Sequence, residues 1–220
     1  QVAVRFRDRR PVAAEAVALT LGTTAEVAPA AVETALRAEV LEPALAASGL
    51  SLAPATQVSI MAREGASGPA GHTGLTGRKT ADDGYGAFVR QSGSAFSGKD
   101  PSRIDRIADY AARHAARGIV AAGLAGEAEV QLSYIPGEAG PHDIEVDTYG
   151  SATIPEPEIR ARLAAAADFR VAAIAERLAL WELPARHGGR FYQDLASYGQ
   201  MGRDDIALPW DDPGLAAALA

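Results

Sequence analysis

The sequence predicts an α+β fold built from small, mostly antiparallel sheets with helices packed on one face. Three observations carry that reading. Segments of two-residue apolar–polar alternation come in pairs, one near the start and one across residues 128–148. Segments with apolar residues at three- and four-residue spacing stand between and after those pairs. The chain has 220 residues, 48% of them hydrophobic, which is enough for one large domain or two small ones.

The elements follow in order. Val2, Val4 and Phe6 alternate with Ala3, Arg5 and Arg7, the period of a half-buried strand. Asp8 to Pro11 reads as a turn, and Val12 to Leu21 as a returning strand. Pro29 suits a first helical turn. Val32, Leu36 and Val40 then predict a helix to about Leu41, which Pro43 kinks or ends. Gln57 to Met61 is a short apolar strand. Residues 62–103 are rich in Gly and Ser and predict only short strands; so long a stretch in a compact domain is usually functional or disordered.

Asp100 is expected to cap the next helix, with Pro101 at its first position. Ile104, Ile107, Ala108, Ala111, Ala115 and Ile119 form its apolar stripe, and Gly123 stops it. Ala128, Val130, Leu132 and Tyr134 alternate with polar residues, as do Ile144, Val146 and Thr148. Each set is a strand with one wet face, joined as a hairpin through Pro136 and Gly137. Pro157 opens a helix to about Ala167, and a further helical stretch covers Val171 to Leu180. Tyr198 to Trp210 reads as irregular, and no internal repeat is visible.

The net charge is −7. That argues against nucleic acid or an anionic membrane as the main partner, because both need a broad basic surface. With no cysteine, a disulfide scaffold and Cys-ligated zinc are excluded, and a reducing, cytoplasmic setting is expected. No apolar run approaches the roughly 18 residues of a membrane-spanning helix. Gln1 to Arg10 alternates apolar and charged residues, unlike a secretory signal. A first residue of Gln1 rather than Met predicts a fragment or a processed product.

Chemistry concentrates in residues 74–105. Arg78, Lys79 and Lys99 stand beside flexible glycine backbone in an otherwise acidic chain. Cations and exposed backbone N–H groups together are what a polyphosphate requires. Asp100 and Asp105 follow at once, and carboxylates there suit the Mg²⁺ such a ligand brings. Gly93, Gly98 and Lys99 fit the phosphate-loop spacing, but Asp100 stands where that loop needs Ser or Thr, and residues 85–92 give only a weak preceding strand. A glycine-rich surface loop is the plain alternative. Elsewhere, Tyr134 and Tyr149 read as core or rim, and Trp181 and Trp210 as packing residues. His142 reads as a surface histidine. His114 and His187 have no partner at metal-ligand spacing, and the acids Asp204, Asp205, Asp211 and Asp212 read as a solvated surface.

At these residues the chain resembles the S-adenosylmethionine synthetase (methionine adenosyltransferase) family. Gly74 to Lys79, Tyr85-Gly86, Ala95 to Asp105, Asp109 to Arg113, Gly118 to Leu124, Glu129 to Tyr134, Val146 to Gly150, Tyr198-Gly199, Gly202-Arg203 and Pro209-Trp210 carry the likeness, in order and at similar spacing. It covers essentially the whole chain but only the C-terminal half of a typical member. Residues 1–65 look like the end of the central domain, and 66–220 like the C-terminal domain. The resemblance implies an S-adenosylmethionine synthetase-like fold and synthesis of S-adenosylmethionine from ATP and methionine. In that reaction the triphosphate leaves and is hydrolysed to phosphate and pyrophosphate.

It further implies that Arg78, Lys79 and Lys99 contact phosphates, that Ala95 and Arg63 lie by the nucleotide, and that Asp105 binds Mg²⁺. K⁺ is a second implied cofactor. The implied partner is a second copy of the chain or a chain supplying the N-terminal half. Four departures stand out. The family's His-Pro-Asp-Lys motif is absent from these residues. His72 replaces an aspartate serving ATP and methionine, and Arg103 replaces a lysine associated with methionine. Glu64 stands where the family's Asn-Pro-Thr-Gly-Arg-Phe run has Phe. A non-catalytic partner subunit that keeps the fold, or an unrelated nucleotide-binding module, are the competing expectations.

Overall fold

The computed structural model describes residues 2–8, 10–23, 27–64, 83–86, 88–91, 95–135 and 138–220, without the side chains of residues 20, 55–57 and 61–64. The chain divides into two compact units, Gln1–Gly74 and Leu75–Ala220.

In the first unit, β1 (Val2–Arg7) and β2 (Arg10–Thr23) form an antiparallel pair around a turn in which Asp8 has φ 50°. Asp tolerates that left-handed conformation better than most residues. β3 (Leu52–Glu64) then pairs parallel with β2. A parallel pair needs a long crossover, here a helical one. It runs through α1 (Pro29–Leu36), a π turn (Arg37–Leu41) and α2 (Glu42–Ser48). The helical path therefore does not end at Pro43. Proline cannot donate to a carbonyl one turn back. The turn before it widens, and the Glu42 N–H reaches the carbonyl of Arg37, five residues earlier. Gly49 ends α2 at φ 67°. β3 is 13 residues long, well beyond the apolar run of Gln57 to Met61. Ala14, Val17 and Leu41 make this unit's small core.

The second unit is organised around α3 (Ile104–Ala121). Ile107, Ala111, Ala115 and Ile119 are fully buried on one face, as the stripe predicts. Strands β4 (Glu129–Ser133) and β5 (Asp143–Asp147) form an antiparallel hairpin that places Val130 opposite Val146 and Leu132 opposite Ile144. Those four pack into the core. Helices α4 (Glu156–Ala166) and α5 (Val171–Arg177) follow, then the short α6 (Leu183–Arg186), α7 (Phe191–Asp194) and α8 (Ala216–Leu219). A 3₁₀ turn, Pro209–Asp211, sits against α3. The α+β class stands, and the sheets of the described residues hold two antiparallel pairs and one parallel pair. Among the described residues no helix is long and apolar enough to cross a membrane.

One packing expectation is corrected. Trp210 is fully buried, but Trp181 is 58% exposed at the end of a turn and does not pack in the core. It stands in the turn between α5 and α6, where Leu178, Leu180 and Leu183 take the buried places and leave the Trp181 ring on the outside.

Candidate functional site

The glycine-rich segment enters the second unit's core at Ala95 and Phe96, both buried. Gly98 then adopts φ 81°, a left-handed conformation that only glycine takes freely. The Lys99 N–H closes the turn on the carbonyl of Phe96 at 3.2 Å. This reversal carries the Lys99 side chain outward, to 26% exposure, with Nζ 2.8 Å from Asp105 Oδ2. Arg103 Nε lies 3.8 Å from the same carboxylate oxygen. Asp105 occupies the first turn of α3, where the helix dipole favours an anion.

Asp100 does not cap α3. Its Oδ1 accepts the Ser102 N–H at 2.9 Å and the Ser102 hydroxyl at 2.5 Å, forming a local turn. Those bonds hold its carboxyl below the usual aspartate range. The helix starts at Ile104, with Arg103 as the preceding residue and no side-chain cap.

Beneath the loop lies a buried polar assembly that the sequence pattern did not reveal. Arg106 is 2% exposed. Its Nε donates to the Tyr110 hydroxyl at 2.7 Å, and one terminal nitrogen donates to the backbone carbonyl of Lys99 at 2.6 Å. The other lies 3.5 Å from Gln200 Oε1. The Tyr110 hydroxyl donates to that same oxygen at 2.5 Å. Gln200 Nε2 in turn donates to Ser97 Oγ at 2.9 Å. Asp83 completes the frame: its carbonyl accepts the Gln200 N–H at 2.7 Å, and its carboxylate accepts the Phe96 N–H at 3.4 Å. Tyr110 stacks on Trp210 with ring centres 3.6 Å apart, and Trp210 Nε1 donates to the Gln200 carbonyl. Burial raises the Tyr110 pKa and keeps the phenol protonated as a donor.

One turn beyond Asp105, burial and the Asp105 charge push the Asp109 carboxyl up to about 6, against the pull of Lys99. Asp211, read from sequence as solvated, is instead half-buried. Its carboxylate accepts Arg113 Nε at 2.5 Å and the Gly202 N–H at 2.7 Å, which ties the 199–211 segment to α3.

Of the residues singled out in the sequence, Lys99, Arg103 and Asp105 come together, and Ala95 lies at the root of the same loop. His72, Arg78 and Lys79 lie outside the described residues. Arg63 is in β3, with its side chain outside them as well. Among the described residues, no three acids or histidines gather where they could hold a metal ion. A divalent ion at Asp105 would complete its oxygen shell from phosphate and water, as Mg²⁺ commonly does. The missed residues are Arg106, Asp109, Tyr110 and Gln200. The available signal was a charged residue four positions before a tyrosine, on the apolar side of the helix.

The fold and the site define an α+β domain that turns a glycine loop into a helix and presents a lysine and a carboxylate at the junction. Residues 66–212 match the S-adenosylmethionine synthetase C-terminal domain. The S-adenosylmethionine synthase of Synechococcus sp. (strain CC9902) is 42% identical over 96% of this chain and 55% of its own length. That of Prochlorococcus marinus (strain MIT 9313) is 44% identical over 96% and 53%. A solved structure described as an unusual S-adenosylmethionine synthetase from Campylobacter jejuni superimposes with a TM-score of 0.79 at 26% identity, over 96% of this chain and 54% of that one. The chain belongs to the S-adenosylmethionine synthetase family. It spans about half the length of the curated relatives it matches.

Proposed function

We propose that this chain supplies the polyphosphate-holding half of a methionine adenosyltransferase, with residues 1–65 as the end of the central domain and 66–220 as the C-terminal domain. The observation that carries the reading is Lys99. A cation is held at a loop–helix junction by a carboxylate that can exchange it for phosphate, inside a chain whose family makes S-adenosylmethionine.

In the proposed reaction the methionine sulfur attacks the ribose C5′ of ATP, and the C5′–O bond breaks with the electron pair leaving on the triphosphate. Negative charge grows on that leaving group. Lys99, with Arg78 and Lys79, meets it with fixed positive charge, which lowers the barrier because the donors are in place before the charge develops. Asp105, with Asp109 one turn away, offers oxygen ligands for Mg²⁺, which would neutralise the phosphates as a Lewis acid when bound. Burial first and the Asp105 charge second raise the Asp109 pKa, and a bound cation would offset both by favouring the charged carboxylate. K⁺ belongs to the proposal through the family alone. Arg63 and Ala95 are placed by the nucleotide, and His72 and Arg103 by methionine, on the same ground. ATP, methionine and a chain carrying the N-terminal half, or a second copy, are the proposed partners.

A non-catalytic partner subunit is the second reading, favoured by one observation: His72 and Arg103 replace two residues that serve methionine in the family.

Calorimetry with inorganic tripolyphosphate and Mg²⁺ tests the phosphate assignment. Lys99→Ala and Arg78→Ala should each weaken binding about ten- to hundredfold, the value of a charge-assisted hydrogen bond. Unchanged affinity in both variants would leave the glycine-rich loop as structure only.

A further inference from the structure

We infer that Arg106 is a positioning residue: through Lys99's own backbone carbonyl it sets where the Lys99 ammonium stands. The inference rests on the polyphosphate reading of Lys99. Its basis is geometric. The guanidinium is buried at 2% exposure, and the three acceptors named for it are neutral oxygens. A fixed cation placed among neutral acceptors is costly unless its donors are well used. Here one donor goes to the Lys99 carbonyl at 2.6 Å, and the others go to Tyr110 and Gln200.

Gln200 then reaches back to Ser97, so the loop is gripped at residues 97 and 99, on either side of Gly98. Gly98 lets the backbone turn but gives it no stiffness. The grip supplies that stiffness. Tyr110, stacked on Trp210, keeps the fork from swinging. The Arg106 group also lies 4.8 Å over the Tyr192 ring, which closes its other side. Lysine at this position would keep the charge but lose the planar fork that serves three acceptors at once.

A structural arginine and a positioning arginine differ in how their loss combines with loss of Lys99. The test uses the full 220-residue chain and inorganic tripolyphosphate with Mg²⁺. Affinity is measured for the parent, Arg106→Lys, Lys99→Ala and the double variant, with thermal unfolding recorded for each. If Arg106 acts through Lys99, Arg106→Lys weakens binding about fivefold in the parent and by less than about twofold in the Lys99→Ala background. Equal losses in both backgrounds, or no loss in the parent, would overturn the inference.

If Arg106→Lys does not fold, Ser97→Ala takes its place, cutting the grip at its loop end while leaving the buried arginine intact. It should show the same non-additivity with a smaller loss. An additive loss, or none, counts against the inference. Lys99→Ala binding as tightly as the parent would instead remove Lys99 from the phosphate contacts, and this inference with it.

Discussion

At the scale of single residues, the site depends on the charges of Lys99, Arg103 and Asp105, gathered where the loop enters α3. Asp109 reports on them. Its folded pKa of about 6 stands above the ordinary 3.8, so the folded chain holds this proton more tightly than the unfolded chain. The resulting stability is fully present below pH 3.8 and is lost as pH rises through about 6. Asp109→Asn fixes the neutral state. Its stability relative to the parent should rise by about 1–2 kcal/mol between pH 4 and pH 7, after allowing for solvent screening of a half-buried group. Urea midpoints at a series of pH values check this, and a flat difference would show that Asp105 and burial do not act on it. His72 carries a second prediction. A neutral imidazole accepts one hydrogen bond but supplies no negative charge, and once protonated it repels an ammonium. Methionine binding, measured with the N-terminal half present, should weaken as pH falls through about 6.5. His72→Asp should strengthen binding and flatten that profile. An unchanged profile would place His72 outside the site. Lys99 and Asp105 were legible because a charge beside glycines stands out in a linear sequence. Arg106 and Gln200 were not, since a buried polar contact across 94 residues leaves no periodic trace.

At the scale of elements, periodicity found the long helix and both hairpins, because burial of one face imposes the period directly. It failed where a local hydrogen bond decides. Asp100 has the chemistry of a cap, yet Ser102 satisfies it one turn early and moves the helix start to Ile104. At Pro43, where a kink or an end is expected, the helix does not end: a π turn just before it absorbs the missing donor as a local distortion and the helix continues. The short helices α6, α7 and α8 lie below the length at which a period can be read. Gly118, inside α3, marks the contact with α8: a Cβ there would meet Leu215 Cβ at 2.8 Å and Leu219 Cδ1 at 3.3 Å. In an exposed helix Gly→Ala stabilises by about 0.5–1 kcal/mol. Here Gly118→Ala should instead destabilise by about 1–3 kcal/mol, the range for overpacking a filled core. Denaturant unfolding reads the sign, and a gain in stability would show that α8 can move aside freely.

At the scale of the whole molecule, fold class and family were legible because many short segments agreed in order and spacing, although no single motif sufficed. The cations among the glycine-rich residues favour a functional reading, and the last part of the stretch is a loop root buried at Ala95 and Phe96, gripped from below, with Lys99 at its outer end. The account's central claim is that this half holds the phosphates for a reaction completed by groups elsewhere. The direct test is formation of S-adenosylmethionine from ATP and methionine, followed by chromatography, with the 220-residue chain alone and with a separately produced N-terminal half carrying the His-Pro-Asp-Lys segment. The account predicts no product from the chain alone, product from the mixture, and loss of that product with Lys99→Ala. Product from the chain alone, or a stable but inactive complex with the N-terminal half, would contradict it.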